Sequence, residues 1–347
     1  MTSLETLRSE FDRHPGYLDA ASGGRGARRV VADMTANLTA WAAGTAGPAT
    51  YDDAVARARA AYARIVHAPV GAVAIGTQVS VMASLLAVAV PDGAEVLCVE
   101  GDFSSMVFPF LAHADRIVVR HVALDRLAEE IGPRTFLVAF SLVQSATGEA
   151  ADAEAVVAAA RAAGALTFCD LTQAAGWTPV DATMFDATAC AAYKWLTAPR
   201  GTGFLTVGEH LRDRLRPIHA GWYAGGDVWE SCYGPTMALA GDARRFDVSP
   251  AWPVWIGAAT ALELFAGVDM TAVRRWDVDL ADMFRSALGL GPGDSAIVSL
   301  PDPFGDARGR LAAAGCTVAG RAGRVRLSFH VWNDAEDVSR AVGALRS

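Results

Sequence analysis

The feature that most constrains the fold of this chain is a series of short, continuously apolar segments separated by helical ones. The apolar segments cover residues 95–100, 116–122, 135–141 and 166–170. Runs of this length without alternation are typical of strands that are buried on both faces of a parallel sheet. Helical spacing of apolar residues is found between or before them, at 54–66, 78–90 and 152–164. This alternation predicts an α/β fold in which helices flank a mostly parallel sheet.

The pattern changes after about residue 240. A long helix is predicted at 253–266, followed by a strand at 296–300, a hairpin at 317–330 and an amphipathic helix at 334–346. Because a single core rarely grows beyond ~250–300 residues, we expect two domains. The large domain, with the N-terminal segment, would cover residues 1–240, and a smaller C-terminal α+β domain would cover residues 241–347.

Charge and composition argue against several classes of protein. The net charge is −8 and no basic run is present, so nucleic-acid binding is not expected. Neither a signal peptide nor a long, strongly apolar, charge-free segment is recognisable, which predicts a cytoplasmic protein without a membrane association. The five cysteines and seven histidines are scattered without the spacing of metal ligands, and no metal site is expected.

Lys194 is the only lysine in the chain, since the other 29 basic residues are arginines. A buried lysine amine readily loses its proton, whereas a guanidinium group does not. The neutral amine can attack carbonyl groups, including the aldehyde of pyridoxal phosphate. A single residue is weak evidence against an ordinary surface lysine, so the neighbouring motifs must decide.

Several residues follow the predicted strands at the edge where open α/β sheets bind their ligands. Asp170 ends an apolar strand, and a carboxylate there needs a partner such as a protonated pyridine nitrogen, unless it only caps a helix. Gln173 could reach the phenolic oxygen of the same ring. Phe103 follows the strand at 95–100, where it could stack on a flat ring or simply belong to the core.

A phosphate site is predicted at the start of the 78–90 helix. The segment G-T-Q at 76–78 supplies backbone N–H groups, and the Thr77 side chain adds a hydroxyl. Tyr193 can add a second hydroxyl, and Ser141, at the end of its strand, is expected to face the same crevice. The sequence thus predicts an amine, an acid, a stacking ring and a phosphate cradle at one edge of the sheet.

These motifs resemble the class V aminotransferase superfamily of fold type I pyridoxal-phosphate enzymes, which includes kynureninases, C–S lyases and cysteine desulfurases. The most specific motifs are D-L-T-Q-A-A-G-W at 170–177 and A-A-Y-K-W-L-T-A-P-R-G-T-G-F-L at 191–205. The resemblance continues to V-R-L-S-F-H-V-W-N-D-A-E-D-V at 325–338 and spans nearly the whole chain. It implies a homodimer with the active site at the subunit interface.

The resemblance also implies residue roles. Lys194 would form the Schiff base with pyridoxal phosphate and act as the general base, Asp170 would pair with the pyridine nitrogen, and Arg326 would hold the α-carboxylate of an amino-acid substrate. An arginine on an apolar strand needs an anionic partner in any case. Further cofactor contacts are implied for Thr77, Gln78, Phe103, Ser141, Gln173, Tyr193, Trp222 and Ser249, with Trp222 a candidate contribution from the partner subunit. Kynureninases commonly have asparagine at the position of Ser249.

The reaction is less constrained than the cofactor. A desulfurase needs a reactive loop cysteine, and the one candidate, Cys316, begins an apolar hairpin strand where we expect a buried thiol. The sequence therefore favours cleavage at the β-carbon, as in a C–S lyase acting on a cysteine conjugate, with a class V aminotransferase as the alternative. A kynureninase-like hydrolase, a cysteine desulfurase and a non-catalytic protein with this fold are further alternatives.

Overall fold

A computed structural model of the protein describes residues 2–346. Its main sheet has seven strands in the order β1-β7-β6-β5-β4-β2-β3. Their bounds are β1 Val73–Gly76, β2 Glu95–Val99, β3 Val118–Val122, β4 Thr135–Ser141, β5 Leu166–Asp170, β6 Ala187–Ala191 and β7 Gly203–Val207. Neighbouring strands from β3 to β6 pair in parallel, whereas β7 is antiparallel to both β1 and β6. The predicted mostly parallel α/β sheet is confirmed.

Twelve α-helices lie within the described residues. They are α1 Leu4–Arg8, α2 Arg28–Ala42, α3 Pro48–Ile65, α4 Val79–Ala89, α5 Ser104–Leu111, α6 Leu127–Glu130, α7 Ala153–Ala163, α8 Glu209–Arg212, α9 Trp252–Ala266, α10 Met270–Ala287, α11 Asp306–Ala313 and α12 Ala335–Arg346. Within residues 2–346, no single helix combines the length and the apolar composition needed to cross a membrane, and only α9 and α10, joined at a 90° bend, reach both as a pair.

The main sheet is covered on both faces. In β2, Leu97 and Val99 pack in one apolar cluster with residues of α3 and α9, whereas Val96 and Cys98 pack in a second cluster with residues of α4 and α5. All five residues of β2 are buried. A strand between two apolar layers takes apolar residues on both faces, which explains the continuous run at 96–99, whereas the buried Glu95 at its start is paired with Arg120.

The C-terminal part contains a small antiparallel sheet in the order β8-β10-β9, formed by β8 Ile297–Pro301, β9 Ala319–Arg321 and β10 Arg324–Ser328. The predicted smaller α+β unit is present. Two isolated bridges, Tyr17 with Thr317 and Asp19 with Ser328, attach the N-terminal segment to this region. The boundary at residues 240 and 241 stays a prediction.

Three strands were absent from the sequence prediction, namely β1, β6 and β7. β6 reads A-T-A-C-A and lacks the large apolar residues that mark β2 and β4, whereas β7, G-F-L-T-V, has a composition similar to theirs. Strand formation by small residues depends on the neighbouring strands more than on intrinsic preference. β3 is an edge strand, is partly exposed and begins at Val118, two residues after the predicted start.

Candidate active site

A cavity of about 220 Å³ opens at the carboxyl edge of the main sheet. Eight of the eleven predicted site residues line it: Thr77, Gln78, Phe103, Ser141, Asp170, Gln173, Tyr193 and Lys194. They come from the ends of β4 and β5, the starts of α4 and α5, and the loop between β6 and β7. The predicted convergence of these eight side chains on one crevice therefore occurs.

The loop that carries Lys194 is held between two glycines. The backbone N–H of Gly24 donates to the carbonyl oxygen of Tyr193 at 2.8 Å, and a Cβ at Gly24 would clash with the carbonyl oxygen of Lys194. On the other side, a Cβ at Gly176 would lie 2.7 Å from the carbonyl carbon of Trp195, and Gly176 has a φ of +109°. Only glycine permits these approaches, so the backbone around the lysine is closely confined.

The amine of Lys194 is buried, with 5% of the residue exposed. The pKa of this amine is lowered from 10.5 to about 8, chiefly by burial and to a lesser extent by the charges of Arg326 and Arg321, while the carboxylate of Asp170 acts in the opposite direction. The Nζ atom lies 5.3 Å from the centre of the Phe103 ring. Near neutral pH an appreciable fraction of the amine is therefore neutral and nucleophilic.

Asp170 presents a buried carboxylate to the same cavity. It is the last residue of β5, and its Oδ1 accepts a hydrogen bond from the backbone N–H of Thr172 at 2.8 Å. Burial raises the pKa of Asp170 to about 6, although the bonds from Thr172 and the charge of Lys194 act in the opposite direction. A carboxylate that is buried at this cost is suited to a cationic ligand group, such as a protonated ring nitrogen.

Gln173 and Ser145 form a polar wall of the cavity. The amide Nε2 of Gln173 donates to Ser145 Oγ and to the carbonyl oxygen of Ala21, both at 3.0 Å. Arg326 Nη1 also donates to Ser145 Oγ at 3.0 Å. Because this oxygen accepts two hydrogen bonds, the hydroxyl proton of Ser145 is left to donate to a ligand. Ser145 was not predicted; it lies four residues after the end of β4.

Arg326 does not line the cavity but contacts Ser145, which does. Its guanidinium group is 1% exposed and donates to the carbonyl oxygen of Ser145 at 2.5 Å and to Ser22 Oγ at 2.7 Å. Nη2 also lies 3.4 Å from Asp19 Oδ1, while Nε has no hydrogen-bond partner among the described residues. The guanidinium thus reaches the cavity through Ser145 and does not line it. Its role in binding a substrate carboxylate stays a prediction.

Asp102, which was not predicted from the sequence, binds Phe103 and Ser141 through its carboxylate. Its carboxylate accepts hydrogen bonds from Ser141 N at 2.7 Å, Ser141 Oγ at 2.5 Å and Phe103 N at 2.6 Å. Gln144 Nε2 is a fourth donor at 3.3 Å. The Ser141 hydroxyl is therefore committed to Asp102 and can only accept a hydrogen bond from a ligand. The only sequence signal was the position of Asp102, immediately before Phe103.

The N-terminus of α4 faces the cavity. Gln78 is the N-cap residue, its side chain makes no capping hydrogen bond, and no acidic residue lies in the first turn. Thr77, Gln78 and Val79 all line the cavity. Uncapped N–H groups at the positive end of a helix form a suitable site for a phosphate group.

Two of the predicted cofactor contacts, Trp222 and Ser249, do not line the cavity. Trp222 packs against Tyr223 and Trp229, with ring centres 5.3 and 5.1 Å away. Ser249 is exposed, two residues after Asp247, which pairs with Arg59 and also accepts a hydrogen bond from the N–H of Ile75 in β1. Their proposed contacts with the cofactor stay predictions.

Cys316 is buried, as expected from the sequence. It packs in the apolar cluster of the C-terminal part with Leu18, Leu311 and Val325. Burial raises the pKa of its thiol. This environment disfavours the thiolate that a sulfur nucleophile requires.

A sequence model of the family described as "Aminotransferase class-V" matches residues 17–299. Among curated proteins, the kynureninase of Deinococcus radiodurans is 29% identical over 303 residues, a match that covers 81% of this chain and 73% of that protein. Among solved structures, the cysteine desulfurase CsdA of Escherichia coli has a TM-score of 0.85 at 20% identity and covers 100% of this chain and 98% of its own. The cystine C–S lyase C-DES has a TM-score of 0.86 at 19% identity, with 96% and 97% covered. At these identities, the two structures establish the fold.

Proposed function

This chain belongs to the class V aminotransferase family of pyridoxal-phosphate-dependent enzymes, and we propose that it is a lyase that cleaves the Cβ–S bond of a cysteine conjugate. The buried amine of Lys194, whose pKa is lowered to about 8, supports the carbonyl and proton-transfer chemistry of this proposal, and the burial of Cys316 supports the choice of elimination over desulfuration. Such an amine can bond to an aldehyde and, once released, can remove a proton from carbon.

The side chains of the cavity fit pyridoxal phosphate. Lys194 provides the amine for its aldehyde, Asp170 the carboxylate for its ring nitrogen, and Phe103 an aromatic face. The uncapped N-terminus of α4, with Thr77, provides donors for its phosphate. When bound, this cofactor supplies an electron sink that stabilises negative charge on the substrate Cα.

The roles of the protein groups follow from their positions. Asp170 would keep the ring nitrogen of the bound cofactor protonated, because a buried carboxylate stabilises the charged form of its partner. Ser145, with Arg326 behind it, offers donors for the substrate carboxylate. The Lys194 amine accepts the proton from Cα and can return a proton to the departing sulfur. The overall reaction consumes the conjugate and one water, and it yields a thiol, pyruvate and ammonium.

The burial of Cys316 supports elimination over desulfuration. A desulfurase transfers the substrate sulfur to a cysteine thiolate, whereas this thiol is enclosed in an apolar cluster and its pKa is raised. We expect Cys316→Ser to retain full activity. A loss of sulfur release in this variant, with its fold intact, would support the desulfurase alternative.

A kynureninase-like hydrolase is the second candidate, and the similarity to the kynureninase of Deinococcus radiodurans favours it. The experiment incubates the holoenzyme with cysteine conjugates and, separately, with kynurenine. Thiol and pyruvate in equal amounts would support the lyase, and alanine with anthranilate would support the hydrolase. Conversion of the cofactor to its amine form without pyruvate or thiol would contradict the lyase and indicate the aminotransferase alternative.

We also propose that the protein functions as a homodimer. Trp222 and Ser249, which the family resemblance assigns to the cofactor site, lie outside the cavity of their own protomer. A second copy could bring Trp222 to the cavity. Sedimentation velocity of the holoenzyme should give a dimer mass, and a monomer with full activity would contradict this part of the proposal.

A further inference from the structure

Arg200 is a cation at the mouth of the cavity for which the reaction provides no role. Its side chain lines the cavity, and its guanidinium carbon lies 5.0 Å from the centre of the Tyr193 ring. Within residues 2–346, Arg200 makes no ion pair and no side-chain hydrogen bond. Lys194 is the only other cationic side chain that lines the cavity. The guanidinium is therefore free to bind an anion.

The strand register places Arg200 beside the start of α4. β1 and β7 pair antiparallel, and their pairing ends with Gly76 opposite Gly203. Gly76 is followed by Thr77, Gln78 and the start of α4. Gly203 is preceded, three residues earlier, by Arg200. Because Gly76 and Gly203 lie opposite each other, Arg200 and the start of α4 lie on the same side of this pair. Consistently, Thr77 and Arg200 line the same cavity, and a Cβ on Gly203 would lie 3.6 Å from the carbonyl carbon of Thr77.

The anion that fits this position carries two charges and several oxygen acceptors. The α4 terminus supplies N–H donors without an acidic residue in its first turn, and Thr77 and Tyr193 supply hydroxyls. These neutral donors leave a phosphate dianion without a formal countercharge. A guanidinium group binds phosphate through parallel hydrogen bonds and provides that charge.

We propose that Arg200 binds the phosphate group of pyridoxal phosphate, together with the N-terminus of α4. This proposal rests on the proposed function, because it assumes the cofactor. The Tyr193 ring holds the guanidinium by a cation–π contact. Pro199 restricts the backbone before Arg200, and Gly201, with a φ of +105°, permits the turn that follows it.

The test compares the binding of pyridoxal phosphate and of pyridoxal, which lacks the phosphate, to the apo-protein. Arg200→Leu should raise the Kd for pyridoxal phosphate about ten- to a hundredfold and leave the Kd for pyridoxal unchanged. Arg200→Lys should lie between, because it keeps the charge and loses the paired donors. Arg161→Leu, which removes an exposed arginine of α7, is the matched control and should bind both ligands like the wild type.

A second measurement does not depend on covalent attachment. Inorganic phosphate should raise the Tm of the wild-type apo-protein and of Arg161→Leu, and it should raise the Tm of Arg200→Leu much less. Equal loss of pyridoxal and pyridoxal-phosphate affinity in a folded Arg200→Leu protein would overturn the proposal. An unchanged Kd for both ligands, with a raised KM only for substrates that carry a second anionic group, would overturn it in favour of a substrate contact. Failure of the proposed function is distinguishable, since the wild-type protein would then bind neither ligand through Lys194.

Discussion

The imidazole Nε2 of His330 donates a hydrogen bond to the carbonyl oxygen of Trp195 at 2.8 Å, and thereby links the segment after β10 to the residue that follows Lys194. The other ring nitrogen, Nδ1, lies 2.6 Å from Oδ2 of Asp277. His330 and Asp277 are both fully buried. Because a carbonyl oxygen only accepts, Nε2 carries a proton, and one further proton is shared between Nδ1 and the carboxyl group.

This pair should show strong coupling in a double-mutant cycle. His330→Leu leaves a buried carboxylate without its partner, which we expect to lower the free energy of unfolding by about 3–5 kcal/mol. The double variant His330→Leu/Asp277→Leu removes both polar groups and should be more stable than His330→Leu alone. Urea denaturation of the four proteins measures the coupling. Strictly additive losses would show that the two side chains do not act as a pair.

Lys194 should react with carbonyl compounds at a lower pH than an ordinary lysine. Its pKa is lowered to about 8, and only the deprotonated amine is nucleophilic, so covalent capture of pyridoxal phosphate by the apo-protein should rise as the pH passes through about 8. Absorbance of the bound cofactor and mass spectrometry after borohydride reduction measure the capture. Lys194→Arg keeps the charge and should capture none. A wild-type midpoint near 10.5 would contradict the influence of burial.

The buried carboxylate of Asp170 should lower the free energy of unfolding of the apo-protein once it is ionised, because its pKa is raised to about 6. The folded form binds the proton up to about pH 6 and the unfolded form only up to about 3.8, so stability due to this group is present below 3.8 and is lost as the pH rises to 6. The loss amounts to about 3 kcal/mol. Asp170→Asn should lack this loss and be more stable at pH 7, while its holo form loses activity. Parallel wild-type and variant denaturation curves from pH 4 to 7 would contradict the prediction.

Asp102 should act through Ser141 and Phe103. Asp102→Asn replaces one acceptor oxygen by an amide donor that faces the N–H groups, and each lost hydrogen bond costs about 1 kcal/mol. We expect a cofactor Kd roughly tenfold higher, measured by fluorescence titration. Ser141→Ala removes a single donor to Asp102 and should change the Kd less. If Ser141→Ala weakened binding more than Asp102→Asn, a direct contact of the Ser141 hydroxyl with the cofactor would explain it better.

Arg326 should affect the substrate more than the cofactor. Arg326→Lys preserves the charge beside Asp19 and loses the paired donors, so the KM for an amino-acid substrate should rise about tenfold or more with the cofactor spectrum unchanged. Arg326→Leu leaves Asp19 with less compensation and should also destabilise the protein. Loss of the cofactor band in the lysine variant would instead indicate that Arg326 mainly supports the cavity wall through Ser145.

The strands that could be predicted from the sequence are buried and contain large apolar residues. β2, β4 and β5 were recognisable because each is enclosed between two apolar layers and has large apolar residues at most positions. β6 was not, because its alanines and threonine acquire their strand conformation from pairing with β5 and β7. Local preference alone does not identify such a strand.

Some residues of the candidate active site could be predicted from the sequence and others could not. Lys194 and Asp170 were identified because their chemistry is unusual in apolar surroundings, and such a residue needs a functional explanation. Asp102 and Ser145 are ordinary polar residues whose importance depends on distant partners, since Asp102 binds Ser141 39 positions away and Ser145 binds Arg326 181 positions away. Sequence spacing contains no direct information on such contacts.

The contact between Asp19 and Arg326 joins residues that are 307 positions apart. Ala21 likewise donates its N–H to Ser328 Oγ, and Ala21 also accepts the bond from Gln173 at the cavity wall. During synthesis, the N-terminal segment therefore has these partners only after β10 has left the ribosome. Long-range contacts of this kind form late in folding. A nascent chain that ends before β10 carries Lys194 and Asp170 but lacks the strand that holds the N-terminal segment beside the cavity, so the cavity wall cannot form until β10 has been made.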